Sequence, residues 1–90
     1  MSWWSKRVEL AMYDPEYQTE LVMRDIVNDL IEARLRLGMS QADVAQIIGV
    51  TRAALNHWEN LRNQPAPLNF ASWAFVLGYE LKISLVPRDL

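Results

Sequence analysis

The stretch SQADVAQIIGVTRAALNHWE, residues 40–59, holds two short amphipathic segments with one glycine, Gly49, between them. Glycine enters the left-handed backbone conformation without a Cβ penalty, so it ends helices where other residues would continue them. Ser40 can cap the first segment, and Asp43 three places on completes a capping box with the shorter acid. Thr51, directly after Gly49-Val50, can cap the second. The inward positions are Val44, Ala45 and Ile48 in the first segment and Leu55 and Trp58 in the second. Two short helices joined by so tight a turn cross steeply, so one braces while the other projects. Ala45 is small where the two approach, Val50 fills the turn from beneath, and Leu55 anchors the projecting helix.

The rest of the chain supplies a frame for that pair. Asp14-Pro15-Glu16 reads as a helix start: a capping acid, a proline suited to the first helical position, and an acid at the positive end of the dipole. Met23, Ile26, Val27, Leu30, Ile31 and Leu35 then recur at helical spacing as far as Gly38. A start nearer Leu21, with 15–20 a separate turn, fits the same pattern. NLRNQPAP (60–67) is a loop, and 68–77 is a fourth helix in which almost every position is apolar. Such a helix must be covered on more than one side. Ninety residues offer little cover, so a second copy of the chain is expected.

After Gly78 the period changes. Leu81, Ile83 and Leu85 alternate with Glu80, Lys82 and Ser84, the pattern of a half-buried strand. A strand needs a mate, and the same strand across a twofold axis is the expected one. Residues 7–13 are the runner-up, although that segment could equally be helical, and 1–13 as a whole is open between helix, strand and disorder. The expected fold is mostly α: four to five helices with a C-terminal β-strand paired across a dimer. Residues 1–20 form an N-terminal extension, 21–78 the unit that contains the helix pair, and 79–90 a dimerisation strand and tail. Phe70, Trp73, Leu77, Leu81, Ile83 and Leu85 are the expected dimer-interface residues, Trp58 and Trp73 also being read as core.

The projecting helix leaves Arg52, Ala53, Asn56 and His57 outward. These side chains are short or able to hydrogen-bond, which suits a major groove about as wide as a helix. That is the helix-turn-helix arrangement. Net charge is −2, but its distribution is uneven. Residues 1–33 carry seven acids against three bases, and 34–90 six bases against four acids. The basic excess therefore accompanies the helix pair.

In Gln41, Ala45, Gly49-Val50, Leu55 and Trp58-Glu59, continued by Pro65 and Leu77-Gly78, the chain resembles the Xre family of bacterial and phage regulators, the Cro- and cI-repressor-like proteins. The likeness covers about 31–81 and implies a lambda-repressor-like fold and a dimer on palindromic operator DNA. It implies base reading by Arg52, Ala53 and His57, and phosphate contacts by Gln41, Thr51 and Asn60. Arg62 is a further expected phosphate contact, just past the helix exit, where Leu61 departs from the family, which often has glycine there. Arg34 and Arg36 are read as solvated surface charges that can also touch the DNA backbone.

The flanks, VELAMYDPEYQTEL and LGYELKISLVPRD, resemble those of HigA-type antitoxins, which bind their own operator and neutralise a small ribonuclease of the RelE fold. By that likeness a small basic toxin is the second expected partner, drawn to the acidic region 1–33, with Trp3 and Trp4 as contact anchors. An enzyme is not expected. The chain has no cysteine, one histidine, and no phosphate-cradling glycine loop or paired carboxylates, so neither a metal site nor a cofactor is implied. The longest apolar run falls far short of a membrane span of ~20 residues. The expected location is the cytoplasm, and the expected activity is repression by covering a promoter, the chain's own included.

Overall fold

The computed structural model describes residues 15–87. Four helices follow one another: α1, Pro15–Arg36; α2, Gln41–Ile48; α3, Arg52–Glu59; and α4, Pro67–Val76. The long first helix starts at its proline and runs unbroken through Leu21, so 15–20 is no separate turn. Asp14, Trp3, Trp4 and the alternating segment 7–13 lie outside the described residues.

The two central helices are bounded by the predicted caps. At Ser40 the capping box is complete: the Asp43 N–H donates to Ser40 Oγ at 3.0 Å, and the Ser40 N–H donates to Asp43 Oδ2 at 2.8 Å. The Ser40 backbone N–H, and after it the hydroxyl, hold the Asp43 carboxyl below its ordinary value. This contribution is present above the ordinary carboxylate range and fades as pH falls through the lowered value. Thr51 Oγ1 accepts from the Ala54 N–H at 3.0 Å. Between them Gly49 sits at φ 78°, and the Val50 N–H reaches back to the Ala45 carbonyl at 3.0 Å, closing α2 and releasing the chain toward α3.

The same bond pattern closes α3. The Arg62 N–H donates to the His57 carbonyl at 2.9 Å and the Leu61 N–H to Trp58 at 3.1 Å. Here the left-handed residue is Leu61, at φ 59°, the one non-glycine with positive φ among the described residues. The exit therefore keeps the glycine geometry without the glycine. A left-handed L-residue costs about 1–2 kcal/mol, part of which glycine returns through its freer unfolded chain. Leu61→Gly is expected to stabilise the domain by about 0.5–1 kcal/mol, read as a higher urea midpoint at unchanged slope. A lower midpoint would mean that the partly exposed leucine side chain contributes more through its contacts than its backbone costs.

One core joins all four helices. Val27, Leu30 and Ala33 enter from α1, Val44 and Ala45 from α2, Leu55 and Trp58 from α3, and Phe70, Trp73 and Ala74 from α4, with Leu77 beyond it. Trp73 is fully buried and stacks at a tilt on Trp58 and Phe70, ring centroids 5.8 and 5.9 Å away. Leu35, expected on the inward stripe of α1, is instead exposed, and Ala33 takes a buried place in that turn.

Two expectations about the C-terminal half change. Among the described residues no β-strand forms, and 79–87 carry no regular structure. Past Tyr79, whose N–H bonds the Ala74 carbonyl, no backbone hydrogen bond ties this segment to another described one, and a ladder cannot exist without a neighbour. Phe70, Trp73 and Leu77, expected at a dimer interface, are interior to the chain's own core. The apolar surface of α4 lies elsewhere, at Leu68 and Phe75, both more than three-quarters exposed.

Candidate nucleic-acid interface

α2 packs on both α3 and α4, and α1 packs on α3, so α3 is held from behind while its opposite face stays open. Leu55 and Trp58 are its buried anchors. On the open side Arg52 and Ala53 are exposed, and Asn56 and His57 are half-buried. Arg52, Ala53 and Asn56 line one shallow cleft. Arg52 has no carboxylate partner among the described residues, so its five guanidinium donors remain available to an acceptor.

Behind this face lies an ion pair that the sequence reading missed. Arg34, at the end of α1, grips Glu59, in the last turn of α3, with both forks: Nε to Oε2 at 2.8 Å and Nη2 to Oε1 at 3.0 Å. The side chains are only 12% and 5% exposed. Arg34 Nη1 also donates to the Met39 carbonyl at 2.9 Å, so one side chain fastens α1, the turn before α2, and α3. Glu59 sits at the negative end of the α3 dipole, which disfavours a carboxylate, and the guanidinium offsets that. Arg34 is thus neither a solvated charge nor free to meet DNA. Twenty-five residues separate the pair, and only a charge at helical spacing from buried Val27 and Leu30 hinted at it.

The phosphate candidates divide. Thr51 is exposed, and its oxygen accepts the cap bond while its hydroxyl proton stays free to donate. Gln41 is turned toward α3, its amide nitrogen donating to Glu59 Oε1 at 3.0 Å and to Asn56 Oδ1 at 3.3 Å. Asn60 folds back on its own helix, its amide nitrogen donating to the Asn56 carbonyl at 2.8 Å and to Asn56 Oδ1 at 3.0 Å. Both amides have committed their hydrogens, and a phosphate would have to displace one. Arg62, past the α3 exit, lines a groove with Glu16, Glu20 and Arg24 of α1, so two acids and a second base surround it.

Among the described residues no group of three or more His, Cys, Asp or Glu side chains is placed to hold a metal ion. No described helix is long and apolar enough to cross a membrane. A helix-turn-helix family model matches residues 30–83, more than half of the chain. Comparison with curated proteins gives no match. Comparison with solved structures gives none either.

Proposed function

The chain belongs to the Xre-like helix-turn-helix family of DNA-binding regulators, and from that we propose that it represses transcription as a dimer on a palindromic operator, its own promoter included. The observation that carries this reading is the open face of α3: an unpaired Arg52 beside Ala53, Asn56 and His57, on a helix braced by α2 and by the Arg34–Glu59 pair. Phosphate contacts set position and give the salt-dependent affinity; base-edge contacts choose the sequence. Arg52 can bridge guanine O6 and N7 with two donors, and Ala53 offers a methyl to thymine. Thr51 donates to a phosphate. Gln41 and Asn60, the other phosphate candidates, would reach a phosphate only by giving up their present bonds, and Arg62 contributes to general attraction.

One recognition helix reads too few base pairs for a genomic address, and a twofold dimer presents two about 34 Å apart. Supporting a dimer are the uncovered apolar residues: Ile47 and Phe75, which line one groove with half-buried Leu81, then Ile83, Leu85 and Val86 beyond it. Leu81, Ile83 and Leu85 would pair with their copies, and the backbone of 79–87 would find its missing ladder there. Such a protein works on chromosomal DNA in the cytoplasm.

Arg52→Ala is expected to cost about 1–3 kcal/mol of specific binding and relax one position in each half-site. Selection from random duplexes followed by titration checks this. The same preferred sequence in the variant would remove Arg52 from the reading set.

A second reading, a HigA-like antitoxin that also neutralises a RelE-fold ribonuclease, is favoured by one feature. α1 begins fifteen residues before the matched region, and this extension exposes Leu21 and Val22 beside Glu16, Glu20 and Asp25. A mixed acidic and apolar surface suits a small basic protein, with Trp3 and Trp4 as further contacts. Co-purification with the product of a neighbouring small basic reading frame supports this role, and separate elution at low salt refutes it.

A further inference from the structure

The hydrogen-bond chain behind α3 fixes which end of the Asn56 amide faces DNA, and we infer that Asn56 acts there only as a donor, its polarity set by Gln41, which the Arg34–Glu59 ion pair orients, and by Asn60. This deepens the DNA-binding reading and rests on it. Donor and acceptor types alone decide it. The Glu59 carboxylate, gripped by a guanidinium, can only accept, so the Gln41 group 3.0 Å from it must be the amide nitrogen. That nitrogen points its second hydrogen at Asn56, 3.3 Å away. From the other side Asn60 meets the Asn56 backbone carbonyl at 2.8 Å, which also only accepts, so Asn60 too presents its nitrogen to the Asn56 side chain at 3.0 Å. Two fixed donors converge on one atom of Asn56, and that atom must be the oxygen.

The amino end is what remains. Asn56 Nδ2 makes no hydrogen bond among the described residues, and Asn56 shares its cleft with Arg52 and Ala53 on the open face. An asparagine free to present both ends pairs bidentately with adenine N7 and N6. Asn56 cannot, because its acceptor is occupied. Its partner must be an acceptor: guanine O6 or N7, adenine N7 alone, thymine O4, or a phosphate oxygen. Gln41 is then a positioning residue whose work is to hold the neighbouring amide one way round.

The test uses the full chain and its best duplex from a random-library selection, with bases and backbone then altered one at a time. Replacing guanine or adenine by its 7-deaza analogue deletes the N7 acceptor, 6-thioguanine and 4-thiothymine exchange O6 and O4 for a weakly accepting sulfur, and a methylphosphonate neutralises one phosphate. Wild type should lose roughly tenfold in affinity at one such alteration, and Asn56→Ala should be indifferent there. A base alteration identifies a base partner, and a methylphosphonate identifies a phosphate. Either amide alone still holds the Asn56 oxygen, so both are removed together: Gln41→Leu with Asn60→Ala frees the Asn56 amide to rotate and should shrink that tenfold sensitivity to under threefold. Merely structural amides would weaken altered and unaltered duplexes alike, which overturns the relay. Should the double variant unfold, Asn56→Asp, whose oxygens accept from both amides and which has no donor, should lose the same sensitivity. If wild type binds its duplex and Asn56→Ala keeps every sensitivity, the inference fails while the DNA-binding reading stands. If wild type selects no duplex, the reading itself fails.

Discussion

Arg34→Ala should remove about 3–5 kcal/mol of stability, a large share of what a domain this size possesses. The substitution leaves the Glu59 side chain, 5% exposed, at the negative end of a helix with its countercharge gone. It also strands the Met39 carbonyl and loosens the turn into α2. The pair is not thereby a large net stabiliser, since both charges were desolvated to form it. Arg34→Met combined with Glu59→Leu should therefore lose less than half as much, because no charge is left buried and the remaining cost is the Met39 carbonyl and the Gln41 amide without their partners. Urea unfolding of the three proteins decides the matter. A loss under about 1 kcal/mol for Arg34→Ala would show that water reaches the pair in solution and that it behaves as a surface salt bridge.

Trp73→Ala is the second large effect, also about 3–5 kcal/mol. Trp73 is the largest fully buried side chain among the described residues, and its ring touches those of Trp58 in α3 and Phe70 in α4, so its removal opens a cavity where the α4 wall meets α3. Trp73→Phe should cost less than half as much. The indole N–H has no hydrogen-bond partner among the described residues, and deleting an unsatisfied buried donor returns part of what the lost volume takes away. Thermal unfolding followed by circular dichroism measures both. Equal losses for the two variants would mean that the indole nitrogen is satisfied in solution.

These two sites mark the border between what residue pattern reveals and what it conceals. Ser40, Thr51 and Gly49 announce the helix ends because capping is local: donor, acceptor and permissive backbone lie within four residues of one another. The open face of α3 was legible for the same reason, since Leu55 and Trp58 fix its buried side and leave the others outward. Arg34 and Glu59 were not, because a charge reads as solvated unless its partner is known, and that partner is twenty-five residues away.

The fourth helix shows a different limit. Its nearly unbroken apolar run predicts cover on several sides but not whose atoms provide it. The chain itself covers Phe70, Trp73 and Leu77 and leaves Leu68 and Phe75 outside. Alternation at 81–85 likewise specifies a strand only once a neighbour exists, and none does among the described residues. Leu61 is the converse case. The motif marked the position as one for glycine, and the fold keeps the left-handed turn there regardless, because the bonds closing α3 require it.

On the proposed function, α3 enters the major groove of duplex DNA, and two copies do so together. Selection of the purified chain against a random duplex library at low ionic strength, with the bound complex weighed by light scattering, tests both halves at once. The expected result is one enriched sequence, two inverted half-sites with centres about ten base pairs apart, carried by two chains. A pool that stays random after repeated rounds, with the protein sedimenting free of DNA, would contradict it.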